Sequence, residues 1–87
     1  MAVIVEFFGI PRARAGRAEL AVPAATVADL LVAVENACPG LKGVRRPDGG
    51  VAPQYLLSLD GRAFVTDPHH QLRPGERVLL LSADAGG

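Results

Sequence analysis

The C-terminal end of the chain is where the sequence offers chemistry. Ala83, Asp84 and Ala85 follow the last predicted strand and lead to Gly86 and Gly87. Because glycine has no side chain, such a tail can enter a narrow channel and present its carboxylate to another protein's active site. Adenylylation of that carboxylate would give the terminal carbonyl a good leaving group, which sulfur or an amine could displace. The alternative is that the two glycines are a frayed end without a role.

The other reactive side chains do not form a catalytic group. His69 and His70 are adjacent beside Pro68, and solvated loop histidines are the simpler interpretation, although a role for them stays open. Cys38, the single cysteine, falls on the apolar face of a predicted helix near its C-terminal end, where a core position is favoured. The glycine-rich segments lack the strand-before, helix-after context of a phosphate loop. We expect no active site, bound cofactor or metal in this chain.

Composition limits the class of protein further. A chain of 87 residues is enough for one domain. Nine Lys and Arg balance nine Asp and Glu, so there is no net field to hold nucleic acid or an anionic membrane. One cysteine allows no internal disulfide, and no apolar run approaches the roughly 20 residues of a membrane span. We expect a cytoplasmic domain over residues 1–82, followed by a flexible tail over residues 83–87.

Hydrophobic periodicity predicts the elements that must position this tail. Alternation, β-branched and aromatic residues and one short apolar run predict strands at residues 3–8, 17–22, 55–59, 62–66 and 77–82. A helical period follows Thr26, a candidate N-cap with Asp29 three positions later, and the predicted helix ends at Pro39-Gly40. Residues 12–16 are interpreted as a turn or loop, and residues 41–53 as a loop with room for one short helical turn. Asp60-Gly61 favours a type I′ hairpin.

The same alternation assigns the strand faces. Val3, Val5 and Phe7 share one face of the first strand, whereas Ile4, Glu6 and Phe8 share the other. In the last strand, residues 78–81 are all apolar, which predicts a central strand. Which of its two faces meets the helix stays open. The order of elements predicts an α+β fold of the β-grasp type, with a mixed sheet of about five strands packed on one main helix and the two chain ends pairing in parallel.

Several segments resemble the MoaD/ThiS family of ubiquitin-like sulfur carriers, and the resemblance covers nearly the whole chain. The matching segments are residues 5–9, 23–31, 39–41, 72–78 and 86–87. Phe7-Phe8-Gly9 is more similar to the small subunit of molybdopterin synthase than to the thiazole-pathway carrier. Departures from the family pattern, such as the long stretch at residues 41–55 and the lack of a Pro-Pro pair before the tail, also resemble carriers that serve cysteine synthesis or other thiolation routes.

The resemblance implies a carrier that is not itself an enzyme. A ubiquitin-activating-type adenylyltransferase would use ATP to convert Gly87 to an acyl-adenylate, a sulfur donor would turn it into a thiocarboxylate, and an acceptor such as the large subunit of molybdopterin synthase would take the sulfur. Molybdopterin biosynthesis is the favoured pathway. The alternatives are a carrier for cysteine, thiamine or tRNA thiolation, a modifier joined through Gly87 to lysines, and a plain β-grasp binding module with an irrelevant tail.

The resemblance also implies an apolar docking patch on the sheet. Phe8 shares the face of Glu6, and matching to the family favours Leu81 as exposed. Phe8, Leu79, Leu81, Ala83, Asp84 and Ala85 are therefore the predicted partner-binding residues. The alternative for Phe8 is partial cover by residues 12–16. The arginines are expected to be solvated individually, with one or two left as candidates for meeting an acidic partner or orienting the tail.

Overall fold

The computed structural model describes residues 2–60 and 63–83. Its elements, in chain order, are β1 (Ala2–Phe7), α1 (Ile10–Ala15), β2 (Glu19–Pro23), α2 (Val27–Ala37), a 3₁₀ turn (Pro39–Leu41), β3 (Tyr55–Leu59), β4 (Ala63–Phe64) and β5 (Arg77–Ser82). The strands form one sheet in the spatial order β2-β1-β5-β3-β4. β1 and β5 are parallel, and the other neighbours are antiparallel. The predicted β-grasp architecture, with the last strand central, is confirmed.

The segment between β1 and β2 differs from the prediction, because it contains the helix α1 rather than only a turn or loop. α1 has six residues, too few for a helical period to show in the sequence. Its ends carry local signals instead: Pro11 lies in the first turn, and Gly16 caps the C-terminus at φ 73° while its N–H donates to the Arg12 carbonyl at 3.0 Å. Pro11 and Gly16, which the sequence suggested as loop residues, therefore mark the two ends of a short helix.

The main helix α2 begins as the sequence predicts. The Thr26 Oγ1 accepts a hydrogen bond from the Asp29 N–H at 3.2 Å, and the Asp29 carboxylate accepts one from the Ala25 N–H at 3.4 Å. The backbone N–H groups of residues 27 and 28, the first two residues of the helix, donate to the carbonyls of His70 and Pro68, respectively, at 3.0 Å each. Three of these contacts satisfy the N–H groups of residues 27, 28 and 29, which a helix start would otherwise leave unpaired, and the fourth fixes the residue before the N-cap.

The core lies between α2 and one face of the sheet. The buried core side chains of these elements are Val27, Leu30, Leu31 and Val34 of α2, Val3, Val5 and Phe7 of β1, Val22 of β2, Tyr55 and Leu57 of β3, and Val78 and Leu80 of β5. Burial of each such aliphatic or aromatic side chain contributes about 1.5–3 kcal/mol. Val78 and Leu80 thus face α2, which places Leu79 and Leu81 on the other side of the sheet.

The hairpin between β3 and β4 is shorter than predicted. β4 contains two residues, and one further backbone contact joins the Val65 N–H to the Leu57 carbonyl at 2.9 Å. Asp60 has the positive φ, 52°, that a type I′ turn requires at its first central position. However, Leu59 pairs with Ala63, so three residues (60–62) separate the paired positions, whereas a type I′ turn at Asp60-Gly61 would leave two. The register therefore does not match the predicted two-residue turn, and Gly61 and Arg62 themselves lie outside the described residues.

Residues 42–53 form a loop that Glu35 of α2 ties down. The Glu35 carboxylate accepts hydrogen bonds from the Gly43 N–H at 2.9 Å and from the Arg45 Nε at 3.2 Å. The Gly43 N–H is the main reason that the pKa of Glu35 lies below its ordinary value; the Arg45 hydrogen bond and the positive charges of Arg45 and Lys42 lower it further, while partial burial opposes them. Glu35 is therefore an ionised anchor for this loop.

Acidification is expected to release that anchor. Because the pKa of Glu35 is lower in the folded protein than in the unfolded chain, its stabilising contact is complete above the unfolded pKa and is lost as pH falls through the folded one. The hydrogen-exchange protection factor of the Gly43 amide should fall over that acidic range. In Glu35→Gln, which cannot ionise but keeps an acceptor oxygen, the protection should be independent of pH there. Equal pH dependence in both proteins would show that Glu35 is not the anchor.

No helix in the part of the chain that the structure describes is long and apolar enough to cross a membrane.

Candidate functional site

The tail leaves the domain from the end of the central strand. Ser82 is the last residue of β5, which lies between β1 and β3. The Ala83 N–H then donates to the Gln54 carbonyl at 2.9 Å, so the last described residue is tied to the segment that enters β3. The predicted tail residues Asp84, Ala85, Gly86 and Gly87 lie outside the described residues. Their roles stay predictions, but the point from which they start is fixed.

An apolar row of Phe8, Leu81 and Leu56 crosses the sheet beside this exit, on the face opposite α2. We call that side the open face. Leu81 pairs in register with Leu56 of β3, and the Phe8 N–H donates to the Leu80 carbonyl at 3.0 Å, which places Phe8 next to Leu81. Phe8 is 45% exposed, while Leu81 and Leu56 are half-buried. The row therefore offers an accessible aromatic ring flanked by leucines, close to the last described residue, Ala83.

The sequence prediction named two of these three row members and missed Leu56. Alternation within β3 carries the signal that could have found it, since Leu56 lies between Tyr55 and Leu57, which both point into the core. Leu79 also lies on the open face, where it pairs in register with Glu6 on one side and Ser58 on the other. It is thus one step farther from the tail than the row itself.

The far half of the open face is charged rather than apolar. Arg77 Nη1 contacts the Glu6 carboxylate at 2.6 Å and the Glu19 carboxylate at 3.1 Å. The hydrogen bond to Glu6, followed by that to Glu19, raises the pKa of Arg77 above its ordinary value. The three side chains are substantially exposed, so the network contributes little to stability by itself. Its effect is to give the open face one apolar end, beside the tail, and one polar end.

Solved structures with the same architecture span the whole chain. SAMP1 from Haloferax volcanii superposes with a TM-score of 0.82 at 23% identity, covering 100% of both chains. A chain of the Amycolatopsis orientalis BexX/CysO complex gives 0.80 at 22% identity over 99% of this chain and 100% of that one. A putative molybdopterin converting factor, subunit 1, from Pyrococcus furiosus gives 0.76 at 22% identity over 94% and 97%. The chain has the fold of the MoaD/ThiS-type ubiquitin-like carriers.

This likeness confirms, at the level of fold, the resemblance found in the sequence. No protein-family model matches the chain, and no curated protein matches its sequence. The β-grasp carrier fold is therefore recognisable here through its sheet order and its short motifs rather than through overall sequence identity.

The two histidines make backbone contacts in a loop, and the cysteine is part of the core. His70 contributes its carbonyl to the start of α2, and the His69 N–H donates to the Asp67 carboxylate at 2.9 Å. Cys38 is buried at the C-terminal end of α2, as the sequence predicts. Among the described residues, no three His, Cys, Asp or Glu side chains are grouped so that they could hold a metal ion.

Proposed function

We propose that this protein is a sulfur carrier whose Gly87 carboxylate is activated by a partner enzyme and converted to a thiocarboxylate. The observation that carries the proposal is the Gly-Gly end of the sequence, which follows β5 within five residues in the fold of MoaD/ThiS-type carriers. The chain leaves β5 beside the apolar row, where a partner could dock. In this proposal, the β-grasp domain is the part that the partner binds, and the chemistry takes place at Gly87. The protein itself supplies no catalytic group.

The proposed chemistry consists of two displacements at the tail. A carboxylate oxygen of Gly87 attacks the α-phosphorus of ATP in the partner's site, pyrophosphate leaves, and a mixed anhydride forms. A sulfur donor at the oxidation level of sulfide then attacks the acyl carbon and expels AMP, leaving a thiocarboxylate. Transfer of that sulfur to an acceptor restores the carboxylate after hydrolysis. Gly86 and Gly87 contribute by being narrow enough to enter both partner sites.

We assign the carrier to molybdopterin biosynthesis, with the large subunit of molybdopterin synthase as the sulfur acceptor. The Phe7-Phe8-Gly9 segment and the fold shared with a putative molybdopterin converting factor subunit support this choice. Carriers for cysteine, thiamine or tRNA thiolation would use the same chain end, and the BexX/CysO complex is a neighbour with the same fold. The ATP requirement of the activating partner favours the cytoplasm, and the balanced charge favours protein partners over nucleic acid or membrane.

A second candidate function is protein modification through the same activated Gly87. The observation that favours it is the fold shared with SAMP1, a small archaeal modifier protein. In that case, a lysine amine rather than sulfur would displace AMP, and an isopeptide bond would form. The two functions share the activation step and differ in the nucleophile.

Intact-mass spectrometry of the carrier tests the proposal directly. The protein is incubated with ATP, the cognate adenylyltransferase and a sulfide source, and the product is fragmented to localise any change. We expect a mass gain equal to replacement of one oxygen by one sulfur, confined to Gly87, and no gain when ATP is omitted. Lysine-linked adducts without that gain would favour the modifier. An unchanged mass, with the partner proven active on another carrier, would refute both functions.

Replacing Phe8 by serine is expected to weaken partner docking without unfolding the domain. An exposed aromatic ring at the centre of an interface commonly contributes about 2 kcal/mol or more to binding, so Phe8→Ser should raise the Kd for the adenylyltransferase by roughly 30-fold. Isothermal titration calorimetry gives the Kd, and urea unfolding reports stability.

Val32→Ser is the matched control for that substitution. Val32 lies on α2 and is 41% exposed, close to the 45% of Phe8, but it is on the side of the domain away from the open face. Its Kd should stay within about twofold of the unmodified protein. Similar losses in both variants would mean that the open face has no special part in docking.

A further inference from the structure

A small cavity lies at the end of β5, beside the apolar row. Its volume is about 120 Å³, and its lining residues are Ile10, Arg14, Gln54, Tyr55 and Ser82. Arg14 is the only charged residue among these. Ile10, Arg14 and Gln54 are exposed, whereas Tyr55 and Ser82 are buried, so the cavity is accessible to solvent from one side. It is therefore open to a single side chain of another protein.

Arg14 is held at this cavity through both its side chain and its backbone. Its Nη1 donates to the hydroxyl oxygen of Tyr55 at 2.5 Å, and Tyr55 is buried at the start of β3. Its backbone lies so close to the 3₁₀ turn that a Cβ on Gly40 would overlap the Arg14 carbonyl oxygen. A guanidinium that is already positioned loses less conformational entropy when it binds an anion than a freely rotating one does.

The guanidinium of Arg14 retains donors for such an anion. Arg14 takes part in none of the ion pairs found within residues 2–60 and 63–83. One donor goes to Tyr55, whereas a guanidinium carries several N–H groups in a planar fork whose geometry fits a carboxylate. A carboxylate at the cavity would therefore meet an oriented cation with donors to spare.

The surface around the cavity is apolar and basic. Ile10 lies shortly after Phe8 in the chain, and the two large side chains are exposed to a similar extent, 49% and 45%. The segment at residues 9–18 contains three arginines and no acidic residue. The two acidic side chains of the open face contact Arg77, at its far end. A protein that covers the apolar row therefore meets an apolar rim and a positive charge beside it.

We propose that an acidic side chain of the activating partner enters this cavity and binds Arg14 when that partner docks on the apolar row. The inference rests on the proposed function, because it takes the docking protein to be the adenylyltransferase. Apolar groups around a charge pair exclude water and strengthen the pair, and a protein that covers Phe8 and Ile10 supplies them, whereas a free anion does not. Arg14 thereby selects partners that carry a carboxylate at the matching position.

Nuclear magnetic resonance of the free protein tests the site, with acetate as the probe. The ¹H–¹⁵N signals of the arginine Nε groups are followed while sodium acetate replaces sodium chloride at constant ionic strength. We expect the Arg14 signal to shift more than those of Arg12 and Arg17, which are also exposed but do not line the cavity. In Tyr55→Phe, which removes the oxygen that holds Nη1, the Arg14 shift should fall toward the other two. Equal shifts of all three arginines in the unmodified protein would overturn the inference.

Binding to the cognate adenylyltransferase tests the identity of the partner. Surface plasmon resonance without ATP measures docking alone, so the result does not depend on activation of the chain end. We expect Arg14→Gln to raise the Kd about tenfold, mainly through faster dissociation, because loss of one member of a desolvated charge pair acts on the dissociation rate. Arg14→Lys, which keeps the charge but loses the planar fork, should recover part of the affinity.

Arg17→Gln is the matched control, because it removes one positive charge from the same basic segment but none from the cavity. Its Kd should stay within about twofold, with any change confined to the association rate. An unchanged Kd in Arg14→Gln, or equal losses in the two variants, would overturn the inference. If the unmodified protein did not bind the adenylyltransferase at all, the proposed function would be contradicted instead, and the acetate titration would still decide whether the cavity binds a carboxylate.

Discussion

A chain that lacks Gly87 is expected to lose the oxygen-for-sulfur mass gain, with an initial rate at least about 100-fold lower, while its urea unfolding curve is unchanged. The deletion still leaves a glycine carboxylate, but it shortens the tail by one residue, or about 3.5 Å. Misplacement of a reacting group by much less than this is enough to cost about two orders of magnitude in rate. We expect the domain to stay folded, because the buried core of the described residues extends from Val3 to Leu80 and the deletion removes none of its side chains.

Ala85→Gly is the control for that deletion. It changes tail composition at constant length and should keep a rate within a few-fold of the full chain. If the chain lacking Gly87 were modified at an undiminished rate, the carboxylate position would be irrelevant, and the carrier mechanism would have to be abandoned. If both variants lost activity equally, tail sequence rather than tail length would be the governing property.

The sheet was predictable from sequence because each strand carries its own local pattern. Alternation at residues 3–8 separates Val5 from Glu6 without any knowledge of the fold, and a four-residue apolar run at residues 78–81 indicates a central strand. The alternation of side chains along β5 could not decide which of its two faces meets α2, because both faces carry leucine or valine. That choice depends on the register in which Val5 pairs with Val78 and Leu57 with Leu80, which is a tertiary property.

The surroundings of the tail were not predictable in the same way. α1 is too short to show a period, and its contact with Tyr55 joins residues that are 41 positions apart in the chain. No spacing rule connects an arginine on a short helix to a phenol at the start of a strand. The sequence could offer Arg14 only as one of several arginines with a possible part in orienting the tail. The fold brings α1, and with it Arg14, to the cavity that Ser82 lines at the end of β5.

The close approach between α1 and the 3₁₀ turn leads to the largest expected stability effect, that of Gly40→Ala. A Cβ at this position would overlap the Arg14 carbonyl oxygen and would lie 3.0 Å from its carbonyl carbon. Both atoms belong to the backbone, so no side-chain rotation can relieve the overlap, and α1 must move away from the turn. We expect the free energy of unfolding to fall by about 3 kcal/mol, as for a severely overpacked site.

Gly75→Ala separates this steric effect from the general cost of losing a glycine. Gly75 has a positive φ of 79°, and no neighbouring atom lies within 4 Å of the position that a Cβ would take, so alanine there should cost only the backbone strain, about 1 kcal/mol. Gly40 has no positive φ, and its expected loss comes from the contact alone. Urea unfolding of the two variants gives both numbers. A loss for Gly40→Ala no larger than that for Gly75→Ala would show that α1 can move away from the 3₁₀ turn at little cost, so that the close approach does not fix its position.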